Sequence, residues 1–600
     1  MLSVLAALAI ALLVSPTNTI GIAGPASPTS GAPADSLDVT LEDAGPQTYF
    51  ASEVLVVADR PDRFDAFAAE AVSTVDASPR AALTAPHASG GDYGTSAFPS
   101  IRGLPAEHVA VELDGVPLNS MQNGTFDLAL LDLLGGAAAI TRGPFAWLGA
   151  TGASQAAVAV ESPAVVGVSM AAAAGSTAGD LRIGVGGWGG SAALAVVGKD
   201  GPRENESLAG WSCRADASAG PLEIGASFLS AQRGLPGAAD APWSAGTLED
   251  ELVVARVRFQ EVGRARPTLY ATRHEQHYED AISSPTHVVS SLGAVVAYDA
   301  DREGAFRSLV AASGDLSVLD SWDPLNPDVG RHTRGSGSVV ARATVGRGVL
   351  RSAAQCVLVA TTDFGAAASG AVGFAAVGPG GRAWVSAGTT YRAPTMNELY
   401  WPADAWSEGN EDLEPERVLT GEGGVSLPLG PLTLGAAAYR SRASDLVLWT
   451  ESNGIWSPRN VGTADLQGVE LDAELRVAGL TLSYAGDFAS AVDGTSALKL
   501  PYRPEVQHSF ALSAVLGAAG LKLAVRSAGE SYVDSANTET LPGYTVADAS
   551  LALALPLEGM SLVLEGTNLT DESYATRKGY ELEGRAWLAG LRITQLQNPW

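Results

Sequence analysis

Residues 99–160 read PSIRGLPAEHVAVELDGVPLNSMQNGTFDLALLDLLGGAAAITRGPFAWLGATGASQAAVAV. Val109, Val111 and Leu113 alternate with Ala110 and Glu112, the period of a β-strand, and the pair Asp114-Gly115 closes it in a tight turn. A second turn pair follows at Asn123-Gly124. From Asp127 to Leu134 the apolar residues recur at helical spacing, with Asp127 placed to cap the helix N-terminus. Ile140-Thr141-Arg142 then reads as a strand broken by Gly143-Pro144. The stretch is a compact α/β unit.

Working outward, the chain after about Ser162 shows alternation and no long helical pattern. Between Val469 and Val477 every odd position is apolar and every even one, Glu470, Asp472, Glu474 and Arg476, is charged. One face of such a strand meets oil and the other meets water. Ala478-Gly479 turns the chain, and Leu480, Leu482 and Tyr484 resume the alternation; Leu432, Leu434, Ala436 and Ala438 show it earlier. About 435 residues divided into about 22 strands leaves about 20 for each strand and its connection, room for strands of about 10 residues.

Composition points the same way. Of 600 residues, 46% are hydrophobic and 17% charged, with 68 glycines, yet no internal apolar run has the length of a membrane helix. The net charge of −29 opposes nucleic-acid binding, which needs a concentrated basic face, and reads as solvated acidic loops. Cys213 and Cys356 form no metal motif and are expected as small buried residues rather than a pair. The seven histidines show no ligand spacing, Asp299–Gly304 reads as a turn rather than a calcium loop, and Gly184–Gly190 lacks the helix that a nucleotide loop requires. No nucleophile elbow is present, and no cofactor or catalytic residue is implied.

The amino terminus reads as an export segment. Residues 2–14 are an apolar run of signal-peptide length, although no basic residue occurs before Arg60. Residues 35–50 are acidic and punctuated by Pro and Gly, as in a mobile arm. Glu53-Val54-Leu55-Val56-Val57-Ala58 is then a short β-branched run, by itself readable as the first strand of the α/β unit.

Ile101-Arg102-Gly103, Leu113-Asp114-Gly115-Val116-Pro117-Leu118-Asn119 and Arg142-Gly143-Pro144, in that order and spacing, resemble the plug domain of TonB-dependent outer-membrane receptors. The later segments Gln232–Gly237, Tyr391–Trp401, Gly409–Glu416, Leu541–Tyr544 and Thr567–Tyr574 resemble that family's barrel. The resemblance departs at Gly135–Ala139, where the family carries a charged run, and at the end, where Gln595–Trp600 continue past the last strand.

The resemblance implies an all-β transmembrane barrel of about 22 antiparallel strands with an N-terminal α/β plug inside it. Residues 1–34 would be the signal peptide, 35–60 a periplasmic arm, 61–162 the plug and 163–600 the barrel. Residues 53–58 resemble the TonB box, which joins the periplasmic energy-transducing protein by strand addition. Arg102 and Arg142, facing Glu416 and Glu470, would latch plug to barrel. His87, Asp92, Tyr93, Met121, Gln122, Asn123 and Phe126 lie on the plug tips where substrate would bind. The implied activity is import of cobalamin or a ferric siderophore, with a lean to the cobalamin branch, by a monomer in outer-membrane lipid. An outer-membrane barrel enzyme and a secreted β-rich adhesin are the rival readings.

Overall fold

In a computed structural model, residues 69–71, 88–93, 96–134, 137–146, 156–162 and 167–596 are described, apart from short gaps at 188, 240, 261, 300–305, 348, 404–406, 453–454 and 558. The proposed signal peptide, the arm with residues 53–58, and His87 lie outside them. All described residues belong to one compact unit, Gly45–Trp600.

Twenty-two antiparallel strands close into a barrel, with the last, Ala586–Leu596, pairing against the first, Gly167–Gly175. Closure pairs every edge, which an open sheet of this size could not do. The alternation works as the sequence indicates. Val469 is 42% exposed on the outer wall, while Glu470, its neighbour, is buried against the interior at 1%. Short connections such as 430–431, 478–479 and 517–518 define one rim, and the longer ones at 393–415, 494–505, 529–543 and 568–585 define the other.

Strand length departs from expectation. Leu432–Ser452 has 21 residues and Ile455–Val477 has 23, against about 10 needed to cross a bilayer. The two run on together beyond the apolar belt, so this wall continues as a hairpin past the rim. The cysteines also depart. Both are free and exposed, because each takes an outward position on its strand, Cys213 on Ser207–Ala219 and Cys356 on Leu350–Thr361. A small apolar residue suits a lipid-facing wall as well as a core, and composition does not separate the two.

Inside the barrel sits a five-stranded sheet. Val109–Leu113 runs parallel to Ala156–Glu161, which pairs antiparallel with Ala137–Arg142, and Ala69–Ala71 adds to the edge. The strand expected at Ile140 begins three residues earlier, at Ala137, since the small residues there pair as readily as branched ones. The helix after Asp127 is a 3-10 turn, Leu128–Leu130, continued by an α-turn, Leu131–Leu134. Asp127 Oδ1 accepts the Ala129 amide at 2.9 Å, the capping role its position indicated. The sheet core (Val109, Val111, Leu113, Leu130, Leu133, Val158) is continuous with inward residues Leu208, Leu229, Leu252 and Tyr270 of the barrel. Plug and wall thus share one hydrophobic core on this side.

Candidate functional site: the plug–barrel interface

The Ile-Arg-Gly motif is a left-handed corner. Arg102 has φ 55° and Gly103 φ 79°, and the Leu104 amide donates to the Ile101 carbonyl at 3.1 Å. The corner ends the strand Ser96–Ile101, which pairs with Ala88–Tyr93 in a two-stranded ribbon of the plug, and turns the Arg102 side chain towards the wall. Its Nε and Nη2 donate to the two oxygens of Glu470 at 2.8 and 2.9 Å, and its Nη1 donates to Glu422 at 2.7 Å. Arg142 Nη1 lies 3.0 Å from Glu470 Oε1, and the Arg102 guanidinium stands 4.4 Å over the Tyr439 ring. Two guanidiniums meet two carboxylates away from water. Burial by itself would lower the Arg102 pKa, but Glu470 and Glu422 outweigh it and hold the group well above its ordinary value.

Three of the four residues expected in a latch, Arg102, Arg142 and Glu470, therefore come together. Glu416 does not join them. It accepts from Arg392 of the barrel, meets His108 of the plug, and takes the Val447 amide at 2.8 Å. Glu422 stands in the place assigned to Glu416, six residues further along the same inward face of Glu416–Leu429.

The Arg-Gly-Pro motif has a steric cause here. A Cβ on Gly143 would lie 2.6 Å from both carboxylate oxygens of Glu422, and the residue has φ 91°. Gly143→Ala should therefore push Glu422 off Arg102 and cost about 1–3 kcal/mol of plug stability. Denaturant release of the plug, followed against an unchanged barrel β-signal, measures this.

Two further charged contacts have no counterpart in the motif reading. Asp114, in the turn of the Asp-Gly-Val-Pro-Leu segment, pairs with Arg256, and its Oδ1 and Oδ2 accept from the Ser162 amide and hydroxyl at 2.8 and 2.6 Å. Arg258 donates to the Asp114 carbonyl. This ties the sheet to the wall beside the segment that leads into the barrel. Asp127 pairs with Arg233, which is fully buried and also pairs with Asp250. Asp250 accepts in turn from Gln276 at 2.8 Å, with His274 Nε2 3.0 Å away. Burial pushes the Asp127 carboxyl up, and Arg233 opposes the shift.

The apical loop 119–125 is closed over its own strand. Asn119 takes the Val111 amide on Oδ1 at 2.7 Å and donates to the Val109 and Gly124 carbonyls at 2.9 and 3.0 Å. The 393–415 connection lies on this loop. Its helix Met396–Tyr400 is started by a capping box between Thr395 and Glu398, and its first amides donate to the plug, Met396 to the Met121 carbonyl at 3.1 Å and Asn397 to that of Gln122 at 2.9 Å. Met121 packs among Val289, Leu319, Val329, Met396, Tyr400 and Trp401.

Of the residues expected to meet substrate, Gln122 is buried, Asn123 Oδ1 accepts the Thr125 amide at 3.1 Å, and Phe126 belongs to the plug core, its ring 6.3 Å from that of His274. Asp92 and Tyr93 end the strand Ala88–Tyr93. Below the helix, Glu107 is pushed up by burial, opposed by Arg392. Nearby Arg503 donates from Nε to the Gly103 carbonyl at 2.9 Å, and burial lowers it to about 10. No cluster of three or more metal-ligating side chains occurs among the described residues.

A closed barrel of this strand number, holding an ion-paired sheet, has known counterparts. Residues 332–569 match the family model described as TonB dependent receptor-like, beta-barrel. That segment belongs to the TonB-dependent receptor-like β-barrel family.

The vitamin B12 transporter BtuB of Photobacterium profundum is 29% identical over 209 residues, 34% of this chain and 34% of that protein. The match thus spans about a third of that relative's length. Among solved structures, the siderophore receptor PirA from Acinetobacter baumannii aligns with TM-score 0.70 at 13% identity, covering 85% of this chain and 94% of that one. The copper transporter OprC aligns with TM-score 0.72 at 15% identity, with the same two coverages. These likenesses extend the shared fold to 85% of the chain.

Proposed function

We propose that this chain is an outer-membrane receptor that binds a scarce, bulky nutrient of the cobalamin or ferric-siderophore class and imports it with force supplied by a TonB-type periplasmic protein. The observation that carries this reading is the seating of the plug. A barrel meant as an open pore or a catalytic scaffold has no use for an internal domain held by buried ion pairs, whereas a gated importer requires one. In this reading Arg102, Arg142, Glu422 and Glu470 form the latch, and residues 53–58 present the strand that the energy-transducing partner grips. Substrate meets the apical loop around Met121 and Asn123 together with the helix Met396–Tyr400. The protein binds and gates, and forms no covalent bond with its cargo.

Cobalamin is the first ligand to test, because the sequence relatives are vitamin B12 transporters. Titration of the detergent-purified chain with cyanocobalamin and with a panel of ferric chelates should give saturable, submicromolar binding to one of them. Absence of binding to all of them would sink the importer reading. The arm has its own test. Leu55→Pro removes an amide from the proposed box and blocks strand addition, so uptake should be lost while binding of the same ligand is kept. Equal uptake would assign the run to the plug instead.

A further inference from the structure

The outer wall carries a basic patch that the import reading does not use. On the three consecutive strands Glu416–Leu429, Leu432–Ser452 and Ile455–Val477, the outward rungs nearest the short-connection rim are apolar: Leu429, Leu427 and Val425, then Leu434, then Val469. Directly above them the character changes. Arg440 pairs in register with Gly421 and Gln467, Arg442 with Leu419 and Asp465, and Arg417 with Ser444. Successive outward rungs are about 7 Å apart along a strand, so the three arginines occupy adjoining rungs just beyond the apolar belt, towards the long-connection rim. All three are exposed.

Among the described residues, the ion pair that the three arginines make is with Asp465. Asp465 lies 3.8 Å from Arg440, whose side chain is still 72% exposed, and Arg442 Nη2 reaches only the Thr463 hydroxyl at 3.4 Å. The patch therefore keeps a net positive charge, in a chain whose net charge is −29. Elsewhere on the outer wall, Arg273 and Arg331 stand singly, held by Glu275 and Asp320 at 2.6 and 3.2 Å. Beside the patch, Phe488 pairs with Val469 and is 40% exposed, extending the apolar floor below the arginines.

We propose that Arg417, Arg440 and Arg442 hold the phosphate groups of an anionic lipid in the outer leaflet, with its acyl chains lying on the apolar rungs beneath. The inference rests on the membrane embedding in the import reading, since the long-connection rim then faces outwards. Guanidiniums suit this partner because their forked donors match phosphate oxygens and dehydrate readily. Three of them on adjoining rungs, above a ready acyl surface, fit a headgroup carrying more than one phosphate better than a soluble anion.

The test uses the full chain in nanodiscs of phosphatidylcholine doped with bis-phosphorylated lipid A or with its dephosphorylated form, counting retained lipid by native mass spectrometry. At about fivefold per arginine near the surface, the wild type should retain the phosphorylated form at least about tenfold better. The combined Arg417→Gln, Arg440→Gln and Arg442→Gln variant should lose that preference, and Arg331→Gln should keep it. Equal retention of the two lipids by the wild type, or an unchanged preference in the triple variant, overturns the proposal. Displacement of the lipid by millimolar inorganic phosphate also overturns it, in favour of a soluble-anion site. Failure to bind any cobalamin or ferric chelate would remove the import reading and leave the lipid count standing. Failure to enter nanodiscs as a folded barrel would remove both.

Discussion

Glu470→Gln should unseat the plug while the barrel stays closed. Glu470 is 1% exposed and shared by Arg102 and Arg142, so the amide leaves two buried guanidiniums with the single carboxylate of Glu422. Removing one partner from a buried pair costs about 3–5 kcal/mol, most of it the penalty of a stranded charge. A loss of about 3 kcal/mol multiplies the unseated population by about a hundred. In planar bilayers this should appear as frequent channel openings where the wild type shows few, and in cells as sensitivity to large antibiotics. Heat-modifiable migration of the barrel should not change. The companion variant Glu470→Gln with Arg142→Gln leaves one cation facing one anion and should recover much of the loss, giving a coupling well above about 0.5 kcal/mol. If the single variant is as tightly closed as the wild type, the four-residue latch is not what holds the plug.

The difference between Glu416 and Glu422 shows what the sequence can and cannot reveal here. Both sit at even positions on one strand, and alternation places both inside the barrel. Which of them meets Arg102 depends on depth, which is set by strand tilt and by the stagger around the closed sheet, and no local pattern encodes either. The plug motifs were legible because each is a local necessity: a left-handed corner at Arg102-Gly103, a tight turn at Asp114-Gly115, and a close approach at Gly143. Asn119 was legible as part of a motif, but its function as the staple of the apical loop needs the fold. The position of Asp127 marks it as a helix cap, and it is one, but its second oxygen reaches Arg233, a contact between residues 106 positions apart. The available signal was Arg233 at an inward position of Leu222–Ala238 amid apolar neighbours, where a lone cation needs a partner. The substrate tips were the least legible, because Phe126 and Gln122 carry the residue types of a binding loop but are used to pack it.

Arg233→Met should damage the plug as badly as the latch variant, and with the opposite response to pH. Arg233 is 0% exposed and neutralises Asp127 of the plug and Asp250 of the wall together. Methionine fills the volume but leaves two buried carboxylates on either side of it, again about 3–5 kcal/mol. The remedy differs, however. In the Glu470 variant the surplus charges are guanidiniums, which stay protonated, so acid brings no relief at that site. In the Arg233 variant the surplus charges are carboxylates that can take up protons. Burial already raises Asp127 above its ordinary value, and loss of Arg233 raises it further. A carboxyl whose folded pKa exceeds its unfolded one favours the folded state below the unfolded pKa and loses that advantage as pH rises through the folded pKa. The gap in plug stability between wild type and Arg233→Met should therefore be widest above neutrality and narrow as pH falls towards about 5. Plug release in urea, measured from about pH 8 down to about pH 5 for both variants, gives converging curves for Arg233→Met and a constant gap for Glu470→Gln. Adding Asp127→Asn to Arg233→Met removes one stranded carboxylate permanently and should flatten the pH response. A constant penalty for Arg233→Met across that range would mean that lost packing, rather than uncompensated charge, is what the variant exposes.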